Sequence, residues 1–258
     1  MRHHFPPAPP IQLRPRTVAK RRRSVTPSLR AFVLLGLLGQ LPLHGAMAQV
    51  DVSGSVALQS AYRYRGQSPG DSGPAPQLTL NLDTAGGWYL GGFASGLTIG
   101  ERKGYKLQSY AGFAQRLPSG WSWELGCSHT SYTQLHMNDF QECYGGLSGE
   151  RVSGRLYYAP RYLGYDAHTL YGEVNLFYPL HPSVNLIAHA GLLHNLSKGI
   201  WPGIPAASRY DARLGVSVPL GDWTLQLARE QGQDDGIRYN SYPVHPSKSW
   251  SMSATYAF

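Results

Sequence analysis

The stretch Ser249-Trp250-Ser251-Met252-Ser253-Ala254-Thr255-Tyr256-Ala257-Phe258 decides how the chain folds. Trp250, Met252, Ala254, Tyr256 and Phe258 fall on one face of an extended segment; Ser249, Ser251, Ser253, Thr255 and Ala257 fall on the other. Side chains alternate across a strand with period two, so this is a strand with one apolar face and one small, polar face. Taken alone, such a strand fits a soluble sandwich as well as a membrane barrel. The rest of the chain separates the two.

The same alternation recurs upstream. Val50, Val52, Val56, Leu58, Tyr62 and Tyr64 oppose Asp51, Ser53, Ser55, Gln59, Arg63 and Arg65 over 50–66. Leu78, Leu80 and Leu82 oppose Gln77, Thr79, Asn81 and Asp83. Trp121, Trp123, Leu125 and Cys127 oppose Ser122, Glu124, Gly126 and Ser128. Tyr210, Leu214, Val216 and Val218 oppose Arg209, Asp211 and Arg213. Counted along the chain, this predicts an all-β protein of about 12 strands, each close to the ~9–11 residues of a membrane-crossing β-strand.

The connections sort into two kinds. Tight turns fall at 84–87, 118–120, 148–150, 179–182 and 219–222; longer loops fall at 67–76, 100–104, 134–138, 161–167, 195–207 and 231–246. The two kinds alternate, as the periplasmic turns and external loops of an outer-membrane barrel do. A soluble sandwich has no reason to sort its connections this way. Aromatic residues flank the turns: Trp88, Trp121, Trp123, Tyr178 and Trp223. With Tyr62 and Tyr64 at the opposite strand end, they predict aromatic girdles at two membrane interfaces.

The formal charge of +8 points first to nucleic acid, but its distribution argues otherwise. Arg2, Arg14, Arg16, Lys20, Arg21, Arg22, Arg23 and Arg30 all precede the first acidic residue, Asp51. The remainder holds 15 basic against 15 acidic residues, so the basic patch of a nucleic-acid binder is missing. Ala31–Leu43 is a short apolar run, and Ala46-Met47-Ala48 supplies a small-x-small cleavage pattern. Residues 1–48 therefore read as a signal peptide with an extended basic n-region, secreted via Sec. Arg22-Arg23 lacks the apolar follow-up of a twin-arginine signal, and a barrel precursor must cross the inner membrane unfolded. The apolar run falls short of the roughly 20 residues a spanning helix needs, and no later segment reaches that length. Residues 49–258 form the single β-barrel domain of this reading.

The segment Val56-Ala57-Leu58-Gln59-Ser60-Ala61-Tyr62-Arg63-Tyr64-Arg65-Gly66 resembles the Val-Ala-Leu-x-Ser-Asp-Tyr-Arg-Phe-Arg-Gly pattern of the Gcw_chp family, proteobacterial proteins also grouped as TorF-family porins. Ala61 stands for the usual Asp and Tyr64 for the Phe. Further similarity lies at Gly87-Trp88-Tyr89, at 140–148 and at 157–162. The resemblance implies a barrel in the bacterial outer membrane and a pore, and it supplies no catalytic residue. A last strand closing on an aromatic is similar to the signal that outer-membrane barrels present to the barrel-assembly machinery. Trp250, Tyr256 and Phe258 would carry that signal, with outer-membrane lipid as the other partner.

On this register Arg63, Glu124, Glu142, Arg155, Glu173, Asp211 and Arg213 face the lumen. Charge is tolerated there, whereas Arg or Lys at the lipid-facing midplane costs about 2–4 kcal/mol. These residues serve either as an eyelet that selects ions or small polar solutes, or as ion pairs that brace and occlude the wall. Cys127 and Cys143 share parity with lipid-side residues, and in an oxidising compartment two cysteines most simply form one disulfide. Two thiols without matching His spacing do not make a metal site, and no cofactor is expected.

His129-Thr130-Ser131 matches the His-x-Ser pairing of some outer-membrane lipid hydrolases, and two residues apart on a strand the side chains share a face. The pattern is short and its residues are common, so a polar pair at the strand end is the favoured reading. Asp234-Asp235-Gly236 reads as a solvated turn. The sequence thus points to a passive channel and not an enzyme. A lipid hydrolase, or a closed structural or adhesive barrel, are the alternatives. The oligomeric state is not encoded in any of these patterns.

Overall fold

The computed structural model describes residues 50–69, 73–99, 102–133, 135–197, 208–233, 238–239, 242–246 and 248–258. The strands in chain order are β1 (Val50–Gln59), β2 (Gln67–Pro69), β3 (Ala75–Thr84), β4 (Trp88–Ile99), β5 (Arg102–Arg116), β6 (Ser122–Tyr132), β7 (Phe140–Ser148), β8 (Val152–Ala159), β9 (Thr169–His181), β10 (Val184–Asn195), β11 (Ser208–Leu220), β12 (Trp223–Gly232), β13 (Arg238–Tyr239), β14 (Tyr242–Pro246) and β15 (Lys248–Ala257). All but β2, β13 and β14 close into one antiparallel barrel, each strand beside its neighbours in sequence. The seam is made by β15, which pairs with both β12 and β1. Beyond it, Phe258 and Gly54 exchange two backbone hydrogen bonds of 3.0 Å. Closure leaves the barrel sheet with no unpaired edge, so all its backbone donors and acceptors can be met without water.

The outer face is apolar. Val56, Leu80, Leu90, Leu125, Leu147, Leu156, Val174, Leu192, Leu214, Leu227 and Met252 are all exposed large hydrophobics. In water this would be a very large apolar surface; in lipid it is the face the solvent requires. Trp88, Trp121, Tyr178 and Trp223 are exposed at the tight-turn end. At that rim Arg151 sits 5.2 Å from the Tyr178 ring centroid. Three of the tight turns hold a left-handed glycine, Gly87 at φ 92°, Gly120 at φ 87° and Gly221 at φ 66°, a conformation that other residues adopt at a cost.

Three local expectations are corrected. β1 ends at Gln59, and Tyr62 and Tyr64 are buried rather than placed in an outer girdle. The chain folds inward there through a hairpin whose central residues, Arg65 and Gly66, have φ of 47° and 72°. Tyr105, Tyr158, Tyr210 and Trp250 are instead the exposed aromatics at the long-loop end. The expected loop at 100–104 is shorter, because Arg102 already pairs with Ile99 and Gly104 with Leu97. The loop at 231–246 carries β13 and β14, and β14 pairs with β2 in a small sheet separate from the barrel. Residues 1–49, with the leader and its cleavage pattern, lie outside the described residues, as does Asp234-Asp235-Gly236.

Candidate channel lumen

Alternating burial separates the two faces of each strand. On β6, Ser122, Glu124, Ser128, Thr130 and Tyr132 are buried, while Leu125, Cys127 and His129 are exposed. On β7, Phe140, Glu142 and Tyr144 are buried between the exposed Gln141, Cys143 and Leu147. In a closed barrel whose outer face is apolar, the buried face is the inward one.

Strand register then sets which inward residues meet. Gly146 on β7 lies opposite Arg155 on β8, Arg155 opposite Glu173 on β9, and Gly191 on β10 opposite Asp211 on β11. Glu124 lies opposite Gly146 on the other side. Long ionisable side chains thus share a lateral row with glycines, and the glycines make room for them. A Cβ on Gly146 would sit 2.8 Å from Glu124 Oε1, and one on Gly191 would sit 2.2 Å from the Tyr171 hydroxyl.

Of the seven predicted lumen residues, Glu124 and Arg155 form an ion pair with each other, Arg155 Nε donating to Glu124 Oε1. The Tyr89 hydroxyl donates to the other Glu124 oxygen at 3.1 Å and lies 2.8 Å from the Tyr144 hydroxyl. Glu173 accepts from the Tyr157 hydroxyl at 3.2 Å. Asp211 accepts from the Tyr171 hydroxyl at 3.2 Å and lies 2.8 Å from His189 Nε2. Arg63 pairs with Glu230 at 3.1 Å and donates to Ser249 Oγ at 2.6 Å. Arg213 stands in register with His189 on β10 and Glu230 on β12.

Glu142 is held by a residue outside that set. Arg65 donates to its two oxygens at 2.7 and 3.0 Å, a bidentate pair that is almost wholly buried. The Arg65 guanidinium also lies over the rings of Tyr171 at 4.1 Å, Tyr64 at 4.9 Å, Tyr157 at 5.1 Å and Tyr162 at 5.5 Å. Lys106 Nζ lies 4.1 Å from the centroid of the Tyr64 ring. Arg209 donates to the Tyr162 hydroxyl at 2.8 Å. A guanidinium stacked on aromatic faces and forked onto a carboxylate is held by both its planar surface and its donors. Arg65 and Tyr64 lie in the connection after β1, outside the spanning strands. Burial works against the Arg65 charge, but Glu142, Tyr64 and Tyr162 together outweigh it and raise its pKa. Burial raises the Tyr64 hydroxyl as well, so it stays neutral.

Arg65, Lys106, His189 and Glu230 were the lumen groups that sequence reasoning passed over. The alternation of their own strands could have found Lys106 and Glu230. The Arg65-Gly66 pair before Gln67 is the kind of X-Gly dipeptide that marks a two-residue hairpin.

Cys127 and Cys143 are opposite each other across β6 and β7, with Cα atoms 4.0 Å apart, and are joined by a disulfide on the outer face. His129 is exposed on that same outer face, and no hydrogen bond links it to Ser131 among the described residues. Trp250 and Phe258 are exposed on β15 and just past it, and Tyr256 packs between Trp223 at 5.2 Å and Phe258 at 6.5 Å. Among the described residues no helix is long and apolar enough to cross a membrane, and no cluster of three His, Cys, Asp or Glu could hold a metal ion.

An apolar outer belt, aromatic rims, a polar inward face and a closed antiparallel sheet define an outer-membrane β-barrel of porin-like architecture. The chain belongs to the Gcw_chp family, described as bacterial protein of unknown function, whose model matches residues 44–229. Among solved structures it is similar to the NanC porin, at 12% identity and TM-score 0.51, over 80% of this chain and 99% of that one. It is also similar to the KdgM porin, at 13% identity and TM-score 0.49, over 80% and 99% of the two chains. At that identity the likeness to NanC is one of fold alone. No curated protein matches the sequence.

Proposed function

We propose that the barrel is an outer-membrane channel for passive diffusion of small polar solutes or ions, with no cofactor. Its partners on this reading are outer-membrane lipid and the barrel-assembly machinery, and residues 1–48 are the Sec signal peptide. The observation that carries the proposal is the chemistry of the inward face. Glu124, Glu142, Arg155, Glu173, Asp211 and Arg213 all point into the barrel. A barrel that existed only as a support would not need them, since replacing buried ion pairs with packed apolar residues is often neutral or stabilising. A polar lumen has a use when something polar passes through it.

A second reading, a closed structural barrel, draws on the buried Arg65–Glu142 pair, which fills part of the bore. The two are separated by planar-bilayer recordings on the full-length protein purified from outer membranes. Discrete conductance steps are expected, and Arg213→Glu should move the reversal potential under a salt gradient towards cation preference. Silence from folded protein, persisting when the lumen hairpin is displaced, would sink the channel and leave the structural barrel.

A further inference from the structure

We propose that the Tyr64–Gln67 hairpin is the plug of this channel and that the Arg65–Glu142 pair is its latch. The inference rests on the channel reading and assigns the device that regulates it. Tyr64 and Gln67 exchange backbone hydrogen bonds of 2.8 and 3.0 Å, so only Arg65 and Gly66 make the turn. Both have positive φ, the backbone pattern of a tight two-residue hairpin with the strand-matching twist.

The hairpin spans the bore. It leaves β1, yet its tip abuts β11 and β12, and its arginine reaches β7, β8 and β9. A Cβ on Gly66 would lie 2.3 Å from Asp211 Cβ, and a Cβ on Gly232 would lie 1.9 Å from the Gly66 carbonyl oxygen. Glu142, Tyr157 and Tyr171, which hold the guanidinium, belong to the wall opposite the seam. A side chain with a mere surface role would not be clasped by four rings and a carboxylate inside the barrel.

The attachment is also separable. Beyond the turn, β2 pairs with β14 and takes no part in the barrel ladder. The hairpin can therefore leave the lumen without breaking a hydrogen bond of the barrel sheet. Inside the lumen it is held by the charge-assisted fork on Glu142, the Tyr64 hydroxyl on the same carboxylate and the ring contacts, while Gln67 stays tied to Pro246 of β14, so the hairpin moves with the small sheet. Removing one partner of such a pair leaves the other charge buried alone, which favours its return to water. The hairpin in place closes the bore; the hairpin withdrawn opens it.

Three folded variants test this by bilayer recording, folding being checked by heat-dependent gel mobility. Arg65→Ala and Glu142→Gln each dissolve the latch. Gly232→Val leaves every charge in place and drives a methyl-bearing wedge against the hairpin backbone. All three should raise open probability about tenfold or more, the shift that losing a charge-assisted interaction imposes on a two-state equilibrium. Open probability and step size unchanged in all three, with Arg213→Glu still altering selectivity, would overturn the plug and leave the channel standing. Silence in the wild type and in every folded variant would overturn the channel itself, and the plug with it.

Discussion

The wall formed by β12, β15, β1 and β3 and the wall formed by β6 to β9 are alike outside and unlike inside. Outside, both present leucine, valine and methionine to lipid: Leu227, Met252, Val56 and Leu80 on one, Leu125, Leu147, Leu156 and Val174 on the other. Inside, the seam wall carries mostly short side chains, Thr224, Ser251, Ser253, Ser53, Ser55 and Thr79, with Gln59, Gln77, Gln226 and Glu230 among them, whereas the far wall carries Glu124, Glu142, Tyr144, Arg155, Tyr157, Tyr171 and Glu173. The lipid constrains every strand equally, so the outer faces converge. The lumen imposes no such uniformity, and side-chain length can be distributed unevenly around it. Short residues at the seam leave space beside β1, and the hairpin that follows β1 enters that space and docks on the long side chains across it.

The difference is sharpest where a single side chain anchors the far wall. Glu124 is about as buried as a side chain can be, and its partner Arg155 is nearly so. Glu124→Ala should cost about 3–5 kcal/mol, because the buried guanidinium loses the carboxylate it is hydrogen-bonded to. The urea midpoint for loss of the folded gel band in detergent reads this directly. A loss below about 1 kcal/mol would mean that water already reaches the pair, and the far wall would then be as open as the seam.

A smaller effect is expected on the outside of the same wall. The Cys127–Cys143 bridge spans a sequence separation of 16 residues. By loop-closure entropy such a link is worth about 2–3 kcal/mol, so Cys127→Ser, or reductant on the wild type, should lower the midpoint by that amount. Because the bridge lies away from the lumen, conductance should not follow. A change in step size on reduction would show that the two faces of β6 and β7 are mechanically coupled.

Much of this contrast was legible in the sequence. Period-two alternation located the barrel strands to within a few residues, because lipid demands an apolar side chain at every second position whatever the lumen contains. Turn chemistry located the tight-turn end for the same reason, each turn being a local event of Gly, Pro, Ser and Asp. The inward chain from Tyr62 to Gln67 was not legible. Its residues continue the alternation of β1, so Tyr62 and Tyr64 look like two more outward aromatics. What turns them inward is nonlocal: a carboxylate on β7 and rings from β8, from β9 and from the loop after β8 that together outbid continued strand pairing. The partners of Asp211, Glu142 and Arg63 were hidden likewise: a diagonal across β10 and β11 brings His189 to Asp211, and the inward connection after β1 brings Arg65 to Glu142 and Arg63 to Glu230, none of which spacing along the chain encodes. Extended alternation specifies faces; it does not specify which inward residues on nonadjacent strands will touch.

The smallest expected effect lies on the seam wall. Ser253 faces inward on β15, in register with Gln59 on β1 and Gln226 on β12. It is only partly buried, and its neighbours on that face of β15, Ser251 and Thr255, are as short as itself. Ser253→Ala removes one neutral hydroxyl from a partly exposed position and leaves no charge buried, so stability should stay within about 0.5 kcal/mol of the wild type. Conductance should be unchanged as well, since the bore there is set by the backbone and by the hairpin. The contrast with Glu124→Ala is the quantitative form of the asymmetry: two inward positions on one sheet, nearly an order of magnitude apart in cost. Should Ser253→Ala weaken the barrel as much as the far-wall change, the seam would be a packed surface in its own right. The space that admits the hairpin would then have to come from elsewhere.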